Sequence, residues 1–206
     1  MTAVPDLEPA ARQVMDLLPG VTDDQLSAPT PCAEYTVGDL LDHFMGLSVE
    51  FRKAATKAAG KPEGDIGVAA HESRPGTGCA ANLDPDWRRQ LPLQLNELVA
   101  AWRDSAAWEG TTEAGGVTLP ADMMGRVTLN ELVLHGWDLA RSTGQPFEAD
   151  PSSAEVSFEF TSAMSASEEV ENRKGLFGPV VAVPSDAPLF HQVLGLSGRD
   201  PSWMPS

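Results

Sequence analysis

Between Ala121 and Ser142 the chain runs for about six helical turns without a plainly polar face. Met123, Met124, Val127, Leu129, Leu132, Val133, Leu134, Trp137, Leu139 and Ala140 are spread almost all the way round. A helix that is apolar on every side has to be covered on every side. Other segments with helical periodicity supply the cover. Residues 5–19 place Leu7, Ala10, Val14, Leu17 and Leu18 on one face and stop at Pro19-Gly20. Thr36 at an N-cap, with Asp39 at the capping-box position, predicts a helix from Val37 to about Ala59. Its stripe is Leu40, Phe44, Leu47 and Phe51. Further helices are predicted from about Asp86 to Trp108, from about Ser152 to Val170, and over Asp186 to Leu196. Gly144 and Pro146 end the buried helix.

Between these helices the chain is punctuated. Residues 60–85 carry eight Gly and Pro residues and read as a long flexible loop; Gly110 to Pro120 is a second break. No run of alternating strands occurs. The fold class expected is all-α: a four-helix bundle of one domain, residues 1–206, with a C-terminal extension over 172–206 that wraps back with a short helix.

Charge narrows the partners. Lys and Arg number 14 against 30 Asp and Glu, a formal charge of -16. Phosphate backbones are held by clustered cations, so no nucleic-acid partner is expected, and no anionic membrane surface either. The opening MTAVPDLEPA has no basic stretch followed by an apolar run, and nowhere do about 18 apolar residues follow one another. The expectation is a cytoplasmic protein whose two cysteines, Cys32 and Cys79, are free thiols.

Chemistry concentrates on the histidines. His43 lies between Leu40 and Leu47 on the apolar stripe of the second helix. His135 sits in the middle of the buried helix, with Glu131 one turn before it and Asp138 nearly one turn after. Residues four apart share a helix face, so Glu131 and His135 can reach a common point. A carboxylate in so apolar a helix needs a positive partner, and its sequence neighbours offer none but His135. Two readings follow from the residues. Glu131 and His135 form a buried polar pair with His43 a satisfied core histidine, or all three converge on a divalent metal, two His and one carboxylate leaving open positions. Asp138 is equally suited to orient His135 through its second nitrogen and to pair with Arg141. Cys32, near a helix N-terminus, is either a dipole-activated thiol or a small residue in the connector. His71 reads as a solvated loop residue and His191 as a surface residue. Arg88, Arg89, Arg126 and Arg141 are the cations considered for a substrate carboxylate.

Three blocks in order carry a resemblance: Thr30-Pro31-Cys32 through Tyr35-Thr36-Val37 to His43; Glu131-Leu-Val-Leu-His135-Gly-Trp-Asp138 to Gly144; and Phe177-Gly-Pro to Pro188. Together they resemble the metal-binding domain of mycothiol-dependent maleylpyruvate isomerase, and more closely its single-domain actinobacterial relatives in the DinB-like superfamily. The resemblance implies a DinB-like four-helix bundle holding a divalent metal, most often zinc, on His43, Glu131 and His135. It implies mycothiol or another low-molecular-weight thiol as co-substrate, and a small electrophile as the other partner of a transferase or isomerase. The isomerase carries an additional C-terminal domain, which this length does not accommodate, so maleylpyruvate isomerisation itself is not expected. The alternative is a non-catalytic metal-binding or stress-response bundle, as a homodimer.

Overall fold

A computed structural model of the protein describes residues 4–58, 78–165 and 176–205. Among them are six α-helices and one small sheet: α1 (Glu8–Leu17), α2 (Val37–Ala55), α3 (Trp87–Trp102), strands β1 (Thr111–Ala114) and β2 (Val117–Pro120), α4 (Ala121–Thr143), α5 (Pro151–Met164) and α6 (Leu189–Leu196). The structure is mostly helical, and no described helix is long and apolar enough to cross a membrane.

The demand made by the apolar helix is met from two sides. Every residue from Leu132 to Ala140 of α4 is buried. Leu129, Leu132, Val133 and Leu139 join Val14 of α1 and Leu40 and Phe44 of α2 in the main core. Leu134 and Trp137, on another side of α4, join Val193 and Leu194 of α6 in a second cluster flanked by Phe158 and Phe177. Helices α1 and α2 each pack on both α3 and α4, while α5 packs on α4 and α6. A helix between two apolar layers needs no polar face along that stretch. At its N-terminal end the cover thins, and Met123 is 38% exposed.

Local chemistry sets the helix ends. The Asp39 N–H donates to Thr36 Oγ1 at 3.3 Å and the Thr36 N–H donates to Asp39 Oδ2 at 2.8 Å, the capping box read from the sequence. Helix α2 ends at Ala55, four residues before the expected Ala59, where Lys57 takes the left-handed conformation with φ 53°. Helix α3 ends at Trp102, not Trp108. Asp104 adopts extended backbone and its side chain accepts from the Ala106 N–H, starting a separate 3-10 turn over Ser105–Trp108. The stretch 110–120, expected only as a break, is a hairpin. Gly115 and Gly116 both have positive φ, 61° and 78°, as a two-residue type I′ turn requires. Thr112 docks it on α2 by donating to the Ala54 carbonyl at 2.5 Å. Most of the expected loop, residues 59–77 with His71, lies outside the described residues, as does the expected end of the fifth helix beyond residue 165.

Asp39 also ties α2 to the segment after the loop, accepting from the Ala80 N–H at 2.6 Å. Partial burial pushes its carboxyl up, but hydrogen bonds from Thr36 and Ala80 outweigh this and hold it below the usual value. Replacing it by alanine should cost about 1 kcal/mol at neutral pH. A carboxylate lowered on folding stabilises above its unfolded pKa and loses that contribution as pH falls through its folded one. The difference between wild type and Asp39→Ala should therefore shrink in acid, as urea denaturation at neutral and acid pH will measure.

Candidate metal centre

Helices α2 and α4 bring the three sequence-selected residues to one point. His43 comes from α2, and Glu131 and His135 occupy one face of α4. His43 Nε2 lies 3.2 Å from Glu131 Oε2, and His135 Nε2 lies 3.2 Å from the same oxygen. The two imidazoles meet edge to face with centroids 4.8 Å apart. One ligand atom from each residue lies within 4.8 Å of the others. Their side chains keep 11%, 19% and 10% exposure for His43, Glu131 and His135, so the cluster is largely enclosed but not sealed from water. Tyr35 packs over it, 5.3 Å from the His43 ring and 6.0 Å from the His135 ring. Its hydroxyl accepts from the Gly78 N–H at 3.4 Å.

The electrostatics favour a charged carboxylate. Burial pushes Glu131 up, but hydrogen bonds from His135 and His43 outweigh it and hold the carboxyl well below its usual range. Burial dominates at His43 and lowers it, so this imidazole is neutral at pH 7. At His135 burial is overcome by Asp138 and Glu131, which face its two nitrogens and raise it. Burial also pushes the Tyr35 phenol up to about 12, keeping it a hydrogen-bond donor.

Of its two candidate partners on α4, Asp138 meets His135 and not Arg141. His135 Nδ1 is 2.9 Å from Asp138 Oδ2, so an Nδ1–H donating there turns Nε2 toward Glu131 and His43. The positive partner of Asp138 comes from 61 residues away. Arg199 Nε donates to Asp138 Oδ1 at 2.8 Å and Arg199 Nη2 to Oδ2 at 2.7 Å, a two-pronged match of guanidinium to carboxylate. Arg199 is 8% exposed and Asp138 fully buried. Burial pushes the Asp138 carboxyl up, but the Arg199 charge and the His135 hydrogen bond hold it low. Arg141 instead donates through Nε to the Trp203 carbonyl at 3.2 Å.

The other candidates divide between one neighbour of His135 and several surface residues. Cys32 lies beside His135 and Asp138, but burial, aided by the Asp138 charge, pushes its thiol up to about 11. This is the opposite direction from the lowering that dipole activation would give. Both cysteines are free. His191 is exposed. Arg126 pairs with Glu159 at 3.2 Å, Arg88 with Asp23 at 2.8 Å, and Arg89 with Asp86, all away from the trio.

Reading the residues missed Arg199 and the position of Tyr35. A signal for the first was present: a buried acid needs a cation, and Arg141, the one on its own helix that could have answered, is held by the Trp203 carbonyl.

Comparison with known proteins follows the same lines. The family model for the mycothiol maleylpyruvate isomerase N-terminal domain matches residues 7–140. Two uncharacterized proteins of Mycobacterium tuberculosis, from strains CDC 1551 / Oshkosh and H37Rv, are each 29% identical over 136 residues, 66% of this chain. The match spans 64% of the length of those relatives. Crystal structures of the mycothiol-dependent maleylpyruvate isomerase and of a histidine-to-alanine mutant of it share the fold, with a TM-score of 0.57 over 79% of this chain and 69% of theirs. Sequence identity to them is 16% and 15%.

Proposed function

The chain belongs to the mycothiol maleylpyruvate isomerase N-terminal domain family, and we propose that it is a divalent-metal protein that joins a low-molecular-weight thiol to small-molecule electrophiles. Mycothiol is the thiol proposed, zinc the metal, and S-transfer or thiol-assisted isomerisation the reaction. The reading extends to the fold and its setting: a single DinB-like four-helix bundle formed by α1–α4, with the C-terminal segment as a wrap, working in the cytoplasm.

The observation that carries the proposal is the convergence of His43 Nε2 and His135 Nε2 on one oxygen of Glu131. Two imidazole nitrogens and one ionised carboxylate are a donor set that suits zinc, and three protein ligands leave room for another. His43, Glu131 and His135 would hold the cation. When bound, it supplies Lewis acidity that favours the thiolate form of a thiol. Asp138 accepts from His135 Nδ1–H and so commits Nε2 to the trio. Tyr35, neutral beside both imidazoles, covers one side of the cluster and keeps a donor near it.

Elemental analysis and a conjugation assay test the proposal together. Tag-free protein incubated with zinc and then desalted should retain about one equivalent. It should also accelerate the reaction of mycothiol with an aryl halide, while His135→Ala loses both properties. Retained zinc with equal rates for wild type and His135→Ala would leave the non-catalytic metal-binding bundle as the correct reading. Less than about a tenth of an equivalent of zinc would remove the metal reading altogether.

A further inference from the structure

Arg199 reaches Asp138 because of how α6 ends. The Gly198 N–H donates to the Gly195 carbonyl at 3.1 Å and the Arg199 N–H to the Leu194 carbonyl at 2.8 Å. Gly198 has φ 85°. This pair of bonds around a left-handed glycine is a Schellman ending, which turns the residue after the glycine back over the helix, where an apolar side chain usually lies. Here that place holds an arginine. The glycine is required twice over, since a Cβ at position 198 would fall 2.7 Å from the backbone of Gly178. The helix that presents this turn is anchored by Val193 and Leu194, both fully buried against Leu134 and Trp137 of α4. The guanidinium then meets both oxygens of Asp138, and Asp138 meets His135.

We propose that Arg199 is a positioning residue for His135, and that divalent-cation binding at the trio is therefore coupled to docking of the C-terminal segment. The inference rests on reading His43, Glu131 and His135 as a metal site. Asp138 is entirely enclosed, so its rotamer and charge depend on the two bonds from Arg199. Its rotamer in turn fixes which imidazole nitrogen faces Glu131. Coupling of this kind is reciprocal: a docked Arg199 tightens the cation, and the cation tightens the docking.

The experiment titrates zinc into the full-length protein against a chromophoric chelator, with amide hydrogen exchange as a second readout. Arg199→Met should weaken zinc binding by about 10–100-fold, the range for partners that orient a metal ligand. Arg199→Lys keeps the charge without the planar fork and should recover part of the loss. Arg141→Met removes the bond to the Trp203 carbonyl beyond the turn and leaves α6 and Arg199 seated on α4, so it should leave zinc affinity unchanged, separating positioning from general stability. In wild type, zinc should slow exchange at the Gly198 and Arg199 amides, and in His135→Ala it should not. Unchanged zinc affinity in Arg199→Met, or no zinc effect on those amides in wild type, overturns the coupling while the metal site stands. Wild type that takes up no zinc overturns both.

Discussion

Glu131→Gln should lower zinc affinity by well over 100-fold, beyond the range of about 10–100-fold seen when only a ligand's supporting partner is removed. The substitution keeps the shape of the side chain and an oxygen in place, and removes the only negative charge within the trio. His43 is neutral under its burial, so the anionic donor supplies the main electrostatic term for a dication. The amide also replaces one carboxylate oxygen by an NH2 group, which cannot accept from the two imidazoles that share Glu131 Oε2 when it occupies that position. A buried polar group left without its partner costs about 1–3 kcal/mol, small enough for the variant to remain folded. Thermal melts with and without zinc separate the two effects. A ligand that binds only the folded state raises the melting temperature by mass action, so wild type should shift with zinc and Glu131→Gln should stay where it is. Wild-type zinc affinity in the variant would place the site elsewhere.

How far the site was readable before its geometry was known depends on the separation of its parts. Glu131 and His135 are four residues apart in the helix with apolar residues on nearly every side, so periodicity and polarity singled them out. His43 stood out because its own helix is amphipathic, and a polar residue on a buried stripe is conspicuous. Asp138 was ambiguous because a helix face offers partners on both sides, His135 three residues before and Arg141 three residues after. What resolved it was a third party. Arg199 lies in a turn after α6, where no periodicity operates, and the sequence offers no measure of which distant cation answers a buried acid.

The helices follow the same division. Capping at Thr36 is a local event and was legible. The early end of α3 is not, because Asp104 can continue a helix or cap the next turn, and the choice depends on what Trp102 and Trp108 pack against. These two rings sit 4.9 Å apart, and the Trp108 indole N–H donates to the Trp102 carbonyl at 2.7 Å, a contact the straight helix would not make. The hairpin did have a local signal, Gly115-Gly116 between Thr-rich stretches. Four-residue strands are too short for alternation to outweigh two glycines read as a break.

Asp138→Ala should destabilise the protein by about 3–5 kcal/mol, the largest stability loss expected here, because it strands a buried guanidinium. Arg199 has 8% exposure and is tied to a turn, so it cannot swing into water without undoing the Schellman ending and the seat of α6. Urea denaturation monitored at Trp137 and Trp203 would record the loss, and a loss under about 1 kcal/mol would mean that the pair is solvent-exposed in solution. The double variant Asp138→Leu with Arg199→Met separates fold from site. Apolar residues of similar volume often replace a buried ion pair at no loss, or with a gain, so the double variant should regain most of the stability that Asp138→Ala forfeits. It should nevertheless bind zinc about 10–100-fold more weakly than wild type, since His135 Nδ1 then has no acceptor to set its orientation. Stability restored without zinc affinity would assign the Asp138–Arg199 pair to the metal centre and not to the packing of the C-terminal segment.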